Sequence, residues 1–162
     1  MKRLELPTYE ADDIIGTLAT LGEQTDFEKI HIITGDKDLL QMADEKTTVH
    51  ITRKGVTDIE SFTPEAVFAK YELSPSQIVD LKGLMGDPSD NLPGIPGVGE
   101  KTAIKLLKQF GTVENLVAHT DELKGKMKEK VEANVEQALL CKRMATIHKE
   151  VPLPVTFDDL LY

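Results

Sequence analysis

The sequence predicts an α/β protein in which a small parallel sheet carries an all-helical appendage. Three observations point there: the order αβαβ followed only by helices, a loop crowded with glycine and proline between the two halves, and a change in charge across that loop. Residues 1–99 hold 9 basic and 18 acidic groups, residues 100–149 hold 10 and 7, and residues 150–162 hold 0 and 3. An acidic half joined to a basic helical stretch implies two different jobs within a net charge of −9.

The elements follow in order. Leu6-Pro7-Thr8 leads into apolar residues at Ala11, Ile14, Ile15, Leu18 and Leu21, the spacing of an amphipathic helix, which Gly22 ends. "KIHIIT" (29–34) reads as a buried parallel strand and "TVHITR" (48–53) as the next, after which Lys54-Gly55 turns the chain into "VTDIE". Thr63-Pro64-Glu65 and Ser74-Pro75-Ser76-Gln77 each offer an N-cap followed by proline at the first helical position, the second with capping-box spacing, so helices are expected over 64–71 and 75–85. Beyond the glycine-rich loop, helices are expected near 100–110, 113–118 and 126–148, with Pro152 and Pro154 stopping the last. The expected division is 1–85 for the sheet-bearing part and 86–162 for the helical part. A helix feeding a buried strand within the first thirty residues leaves the sheet with two or three strands and an open edge.

Composition narrows the class. With 162 residues, 40% of them hydrophobic, the chain can bury one ordinary core. Its single cysteine, Cys141, excludes an internal disulfide and every multi-cysteine zinc pattern; it reads as a packed helix residue in a reducing cytosol. No charged-then-apolar leader opens the chain and no run approaches the roughly 20 apolar residues of a membrane span. The expectation is a cytoplasmic protein without a membrane partner.

The loop holds Gly86, Gly94, Gly97 and Gly99 with Pro88, Pro93 and Pro96, then runs into a helix, a place where free backbone N–H groups and the helix dipole favour a phosphate. A nucleotide-binding Walker A loop, G-x-x-x-x-G-K-[ST], is excluded. Gly94 and Gly99 have its spacing, but Glu100 stands where the lysine belongs and no apolar strand precedes the loop. What remains is Pro96-Gly97-Val98-Gly99 followed by Glu100-Lys101-Thr102-Ala103 and the apolar Ile104, Leu106 and Leu107, the helix-hairpin-helix pattern whose turn offers amides to a nucleic-acid backbone. The alternative is a tight interhelical connection that needs glycine for positive φ. Both glycines, the Lys-Thr pair and the basic balance of 100–149 favour DNA, with Gly97, Val98, Gly99, Lys101, Thr102 and Lys105 as the contacts and Gly99 as a position where a side chain would block or strain the turn.

Three acidic clusters complete the pattern: Glu10 with Asp12 and Asp13, Asp36 with Asp38, and Asp87 with Asp90. In extended backbone, i and i+2 side chains point the same way, so Glu10/Asp12 and Asp36/Asp38 form side-by-side pairs; Asp87 and Asp90 share one face of a turn, with Asp13 behind. Packing so many carboxylates together is unfavourable unless cations neutralise them, and hard oxygen ligands without thiolate suit Mg²⁺ or Mn²⁺ in a two-metal site. His31, His50, His119 and His148 are scattered, and no serine or cysteine carries a nucleophile motif, so a metal-activated water is the expected nucleophile.

"YEADD", "TGDKDLLQ" and "LMGDPSDNLPGIPGVGEKTAIKLL" resemble the signature blocks of the 5′-nucleases, most closely the 5′–3′ exonuclease domain of bacterial DNA polymerase I, from about Leu6 to the C-terminus. The resemblance implies a Rossmann-like (PIN-like) fold with a helix-three-turn-helix appendage and structure-specific phosphodiester hydrolysis at 5′ ends and flaps. It implies that Glu10, Asp12, Asp13, Asp36, Asp38, Asp87 and Asp90 are the metal-site acids, that Lys82 is the basic residue beside them, and that Gly97, Gly99, Lys101 and Thr102 grip duplex DNA at a turn where the family also holds K⁺. The family's first two strands, each bearing an aspartate, and its basic helical arch have no counterpart here, so the resemblance implies the C-terminal part of such a domain. The partners implied are double-stranded DNA with 5′ ends or flaps and a polymerase domain, attached or separate, with the chain itself a monomer. A DNA-binding fragment without catalysis is the alternative.

Overall fold

The computed structural model describes residues 2–55 and 57–161. Helix α1 (Ala11–Glu23) starts at Glu10, whose side chain and that of Asp13 form a reciprocal capping box, and buries Ile14 and Ala19. Strand β1 (Ile30–Thr34) runs parallel to β2 (Thr47–Thr52), with Ile32 opposite Val49. The crossover between them is a 3₁₀ segment, Lys37–Met42, short because it needs only to bury Leu39, Leu40 and Met42 beneath the sheet.

A third strand, β3 (Ile59–Phe62), pairs antiparallel with β2, so the sheet is a parallel pair extended by a hairpin, in the order β1-β2-β3. Gly55 supplies the positive φ of that hairpin and the Arg53 N–H donates to the Asp58 carbonyl across it. The sheet is covered on one face only. Ile32, Val49 and Ile51 are buried, whereas His31 and Ile33 of β1 are exposed, Ile33 at 65%. The strand that reads as buried on both sides is therefore half-solvated, because the helices of this chain reach one side of it. Among the described residues, β1 pairs only with β2.

Both proline-initiated helices form where their caps put them. Thr63 Oγ1 accepts from the Ala66 N–H at the start of α2 (Pro64–Tyr71), and Ser74 with Gln77 forms a capping box on a 3₁₀ turn that leads into α3 (Ile78–Met85). The remaining helices are α4 (Glu100–Phe110), α5 (Val113–Ala118), α6 (Gly125–Ala133) and α7 (Val135–Ala145). The expected helix over 126–148 is thus two. Asn134 breaks it at φ −127°, its amide donating to the Lys130 carbonyl and ending α6. Thr146 in extended backbone ends α7 well before Pro152. α3 lies between α4 and α7, with Leu84, Leu107 and Ala138 at 1% exposure or less. Cys141 is buried on α7, beside Leu92 and Ala145. No helix among the described residues is long and apolar enough to cross a membrane.

Candidate functional site

All three acidic clusters converge, by a route other than the expected one. Glu10 and Asp36 are extended, but each is an N-cap, so Asp12 and Asp38 already lie in the first helical turn beyond them. The pairs are helix-start arrangements rather than strand pairs; the chain turns helical at once because Glu10 and Asp36 cap it, Asp36 Oδ1 accepting from the Asp38 N–H at 2.9 Å. Asp87 caps the next turn, Pro88–Asp90, accepting from Ser89 N and Oγ at 2.9 and 2.5 Å. Glu10, Asp12, Asp13, Asp36, Asp38 and Asp90 line one cleft of about 170 Å³, walled on the far side by Met144 to Ile147 at the end of α7. Carboxylate oxygens of Asp38, Asp87 and Asp90 lie within 4.8 Å of one another, the spacing of a shared cation.

The electrostatics record the crowding. Burial, then the adjoining Asp36 carboxylate, pushes Asp12 up to about 7. Burial is also the largest influence on Asp38; with Asp36 and Asp90 it outweighs the pull of Lys82, and the carboxyl is raised to about 6. Asp87 goes the other way: burial would raise it, but hydrogen bonds from Lys82 and Ser89 prevail and hold it at about 2. Lys82 Nζ sits 2.5 Å from Asp87 Oδ2 and 3.3 Å from Asp38 Oδ1. Burial lowers its pKa, and the carboxylates of Asp87 and Asp38 more than reverse that, so Lys82 stays charged. Asp38 Oδ1 is buried and receives no hydrogen bond despite the nearby ammonium. Asp13 lines the cleft with its oxygens occupied by the Glu10 and His148 N–H groups.

Two supporting residues carry no sequence signal. Gln41 donates to the carbonyls of Asp38 and Ala145, both at 2.9 Å, and accepts from the Ile147 N–H at 3.1 Å, tying the cleft floor to its far wall. Asp80, 2% exposed, accepts from the Val113 N–H at 2.9 Å and pairs with Lys142 Nζ at 2.7 Å, joining α3, α5 and α7. A glutamine in "TGDKDLLQ" and an aspartate inside a helix look like solvated polar residues until their partners, some 30 to 100 positions away, are in place.

The glycine-rich turn is arranged differently from expectation at two of its residues. Gly97 has φ +83°, but Gly99 is the extended N-cap of α4 at φ −90° with open space where a side chain would go, so positive φ is required at Gly97 and not at Gly99. Val98 is buried at 5% and its N–H donates to the Ile95 carbonyl, so it anchors the turn and has neither side chain nor amide left for a ligand. Gly86 and Gly94, both at positive φ, pack backbone against backbone, and a β-carbon on either would strike the other's strand of chain. Lys101 and Lys105 are exposed one turn apart on α4, Thr102 is half-buried between them, and no side chain caps the helix start.

A parallel-stranded core with acids at one helix-start cluster and a glycine turn opening a basic helical half defines a class. The model of the 5′-3′ exonuclease family's C-terminal SAM fold matches residues 73–162, and that of its N-terminal resolvase-like domain matches residues 1–72. The chain belongs to the 5′-3′ exonuclease family. It is 60% identical to the DNA polymerase I of Bacillus caldotenax over 159 residues, covering 98% of this chain and 18% of that protein's length. Zinc-bound T5 5′-exonuclease has the same fold, with a TM-score of 0.78 at 20% identity over 90% of this chain and 52% of that one. A T5 D15 flap endonuclease solved with DNA and metal ions gives 0.74 at 20% identity, over 88% and 51%.

Proposed function

We propose that the chain forms part of a metal-dependent 5′–3′ exonuclease and flap endonuclease acting on double-stranded DNA with 5′ ends or flaps. The observation that carries the reading is Asp38 Oδ1, a buried carboxylate oxygen without a hydrogen bond, set among other acids with the Lys82 ammonium 3.3 Å away. Hard oxygen donors of this kind fit Mg²⁺ or Mn²⁺ better than softer ions. Asp38, Asp87 and Asp90 would hold one cation, with Asp12, Asp36 and Glu10 facing a second across the cleft. Divalent cations bound there supply Lewis acidity toward a phosphate and a water acidified for attack.

The chain's own residues do the rest. Lys82, kept protonated by Asp38 and Asp87, gives a fixed positive charge for the phosphate oxygens rather than a base. The open amides at the start of α4, with Lys101, Thr102 and Lys105, hold the duplex backbone, and K⁺ would bind at the same turn. The polymerase I relatives make a polymerase domain the expected neighbour, and the chain is read as a monomer.

Cleavage of a 5′-flap duplex with Mn²⁺, compared between the wild-type chain and Asp87→Asn, tests the reading. Mn²⁺-dependent cleavage lost in the variant supports it; cleavage indifferent to metal and to Asp87 overturns it. A second reading, DNA binding without turnover, needs only the basic helical half and the glycine turn that opens it; the chain spans about half of the T5 chains and 18% of the polymerase I relative. Duplex binding with no cleavage at any Mn²⁺ concentration selects that reading.

A further inference from the structure

We propose that Lys130, on α6, is a phosphate-binding residue of the hairpin turn, so that the DNA backbone is held from two elements and not by the start of α4 alone. The inference rests on the reading of that turn as a duplex grip. α6 carries Lys126, Lys128 and Lys130, and Lys130 is the one whose head crosses to the turn: a β-carbon built on Gly97 would lie 2.8 Å from Lys130 Nζ and 3.5 Å from its Cε. Gly97 is needed for φ +83°, and the space where a side chain would stand is the space that the Lys130 ammonium occupies.

The charge has no internal partner. Among the described residues, Lys130 Nζ donates no hydrogen bond and lies within ion-pair distance of no carboxylate, although the residue is half-buried. Lys108 on α4 contrasts with it, since its ammonium is already taken by Glu72 at 2.8 Å. A lysine withdrawn from water gives up hydration that an anion must replace. The turn offers N–H donors and no carboxylate at Lys130, so the anion it suits is one that amides and an ammonium can share: a phosphodiester of nucleic-acid backbone. Contacts of this type carry no base information, so Lys130 adds affinity and salt sensitivity without sequence preference.

The experiment compares wild type, Lys130→Met, Lys130→Arg, Lys101→Ala and Lys108→Met by fluorescence anisotropy with a labelled duplex across a salt series. Methionine keeps the aliphatic stem along the turn and removes the charge. Loss of one phosphate contact makes the slope of log K against log salt shallower by about 0.9 and weakens binding about eightfold at 0.1 M salt. Lys130→Arg retains most of the affinity, Lys108→Met changes it little, and urea midpoints of all variants stay near wild type. If Lys101→Ala weakens binding while Lys130→Met matches wild type in affinity and slope, the role of Lys130 is overturned and the turn's reading stands. If the wild-type chain binds no duplex, both fall together. A Lys130→Met variant that binds less tightly with an unchanged salt slope has lost packing rather than a phosphate contact, and that also overturns it.

Discussion

The acidic cleft and the glycine turn adjoin in sequence at Asp87 and Asp90, and they are made of different material. The cleft is built from side chains: its backbone is ordinary helix start and turn, and its character lies in carboxyls displaced upward to about 7 and 6 at Asp12 and Asp38 and downward to about 2 at Asp87. The turn is built from backbone: Gly86, Gly94 and Gly97 take conformations closed to other residues, and the groups it presents are amides. Substitution should therefore change what the cleft binds while leaving the fold, and change the fold at the turn before it changes chemistry.

The largest effect is expected from Gly94→Val. Positive φ costs about 1–3 kcal/mol for a β-branched residue, and collision of the new side chain with the backbone at Leu84 to Gly86 costs a similar amount. Urea denaturation should show about 3 kcal/mol or more lost; a change below about 1 kcal/mol would mean the turn tolerates what its geometry forbids.

Next is the cleft. Asp38→Asn should weaken Mn²⁺ binding in a calorimetric titration at least tenfold, about 1.4 kcal/mol, with the metal-free urea midpoint unchanged or raised because a crowded charge is gone. A variant that unfolds instead would make the cleft a structural element like the turn.

The pH dependence sharpens the same contrast. Asp12 and Asp38 are raised above their unfolded values, so the stability they contribute is complete below pH 4 and is lost as pH rises through about 6 to 7. Asp87 is lowered, so its contribution is present above pH 4 and lost as pH falls toward 2. Metal-free protein should melt at lower temperature at pH 8 than at pH 5, with Mn²⁺ narrowing the gap and Asp12→Asn removing part of it. Equal melting temperatures in wild type and Asp12→Asn at both pH values would show that the crowding has no energetic weight.

The smallest effect is at Gly99. With φ −90° and open space, Gly99→Ser should change stability by no more than about 0.5 kcal/mol, serine being a good N-cap. A large loss would place strain where the backbone shows none.

Much of this was legible in the sequence because it is local. The caps at Thr63 and Ser74, the acids at helix starts and the glycine spacing all act within four residues of themselves; the two caps lie where the pattern puts them, while the acid pairs are helix starts rather than extended pairs and Gly99 needs no positive φ. What was illegible depends on partners far along the chain. β3 is a strand because β2 is there to receive it, and its four residues carry no pattern of their own. The break at Asn134 turns on one amide choosing a carbonyl. Gly97 and Gly99 look alike in sequence, and only the direction of the chain separates the one that needs to be glycine from the one that does not. Gln41 and Asp80 gain their meaning from contacts 104 and 33 residues distant.

Asp80 has a consequence for motion. Because one buried carboxylate accepts from the Val113 N–H and pairs with Lys142, α3, α5 and α7 cannot separate without exposing an unpaired charge, so they open together or not at all. Their amides should exchange with solvent at a common, slow rate, while β1, half-solvated and paired only with β2 among the described residues, exchanges faster. Lys82 sits two residues after Asp80 on α3, and the helix runs straight into Gly86 and Asp87. The ammonium that faces the acids therefore stands on one of the last parts of the molecule to fluctuate, and the cleft borrows its steadiness from a contact that touches none of its own residues.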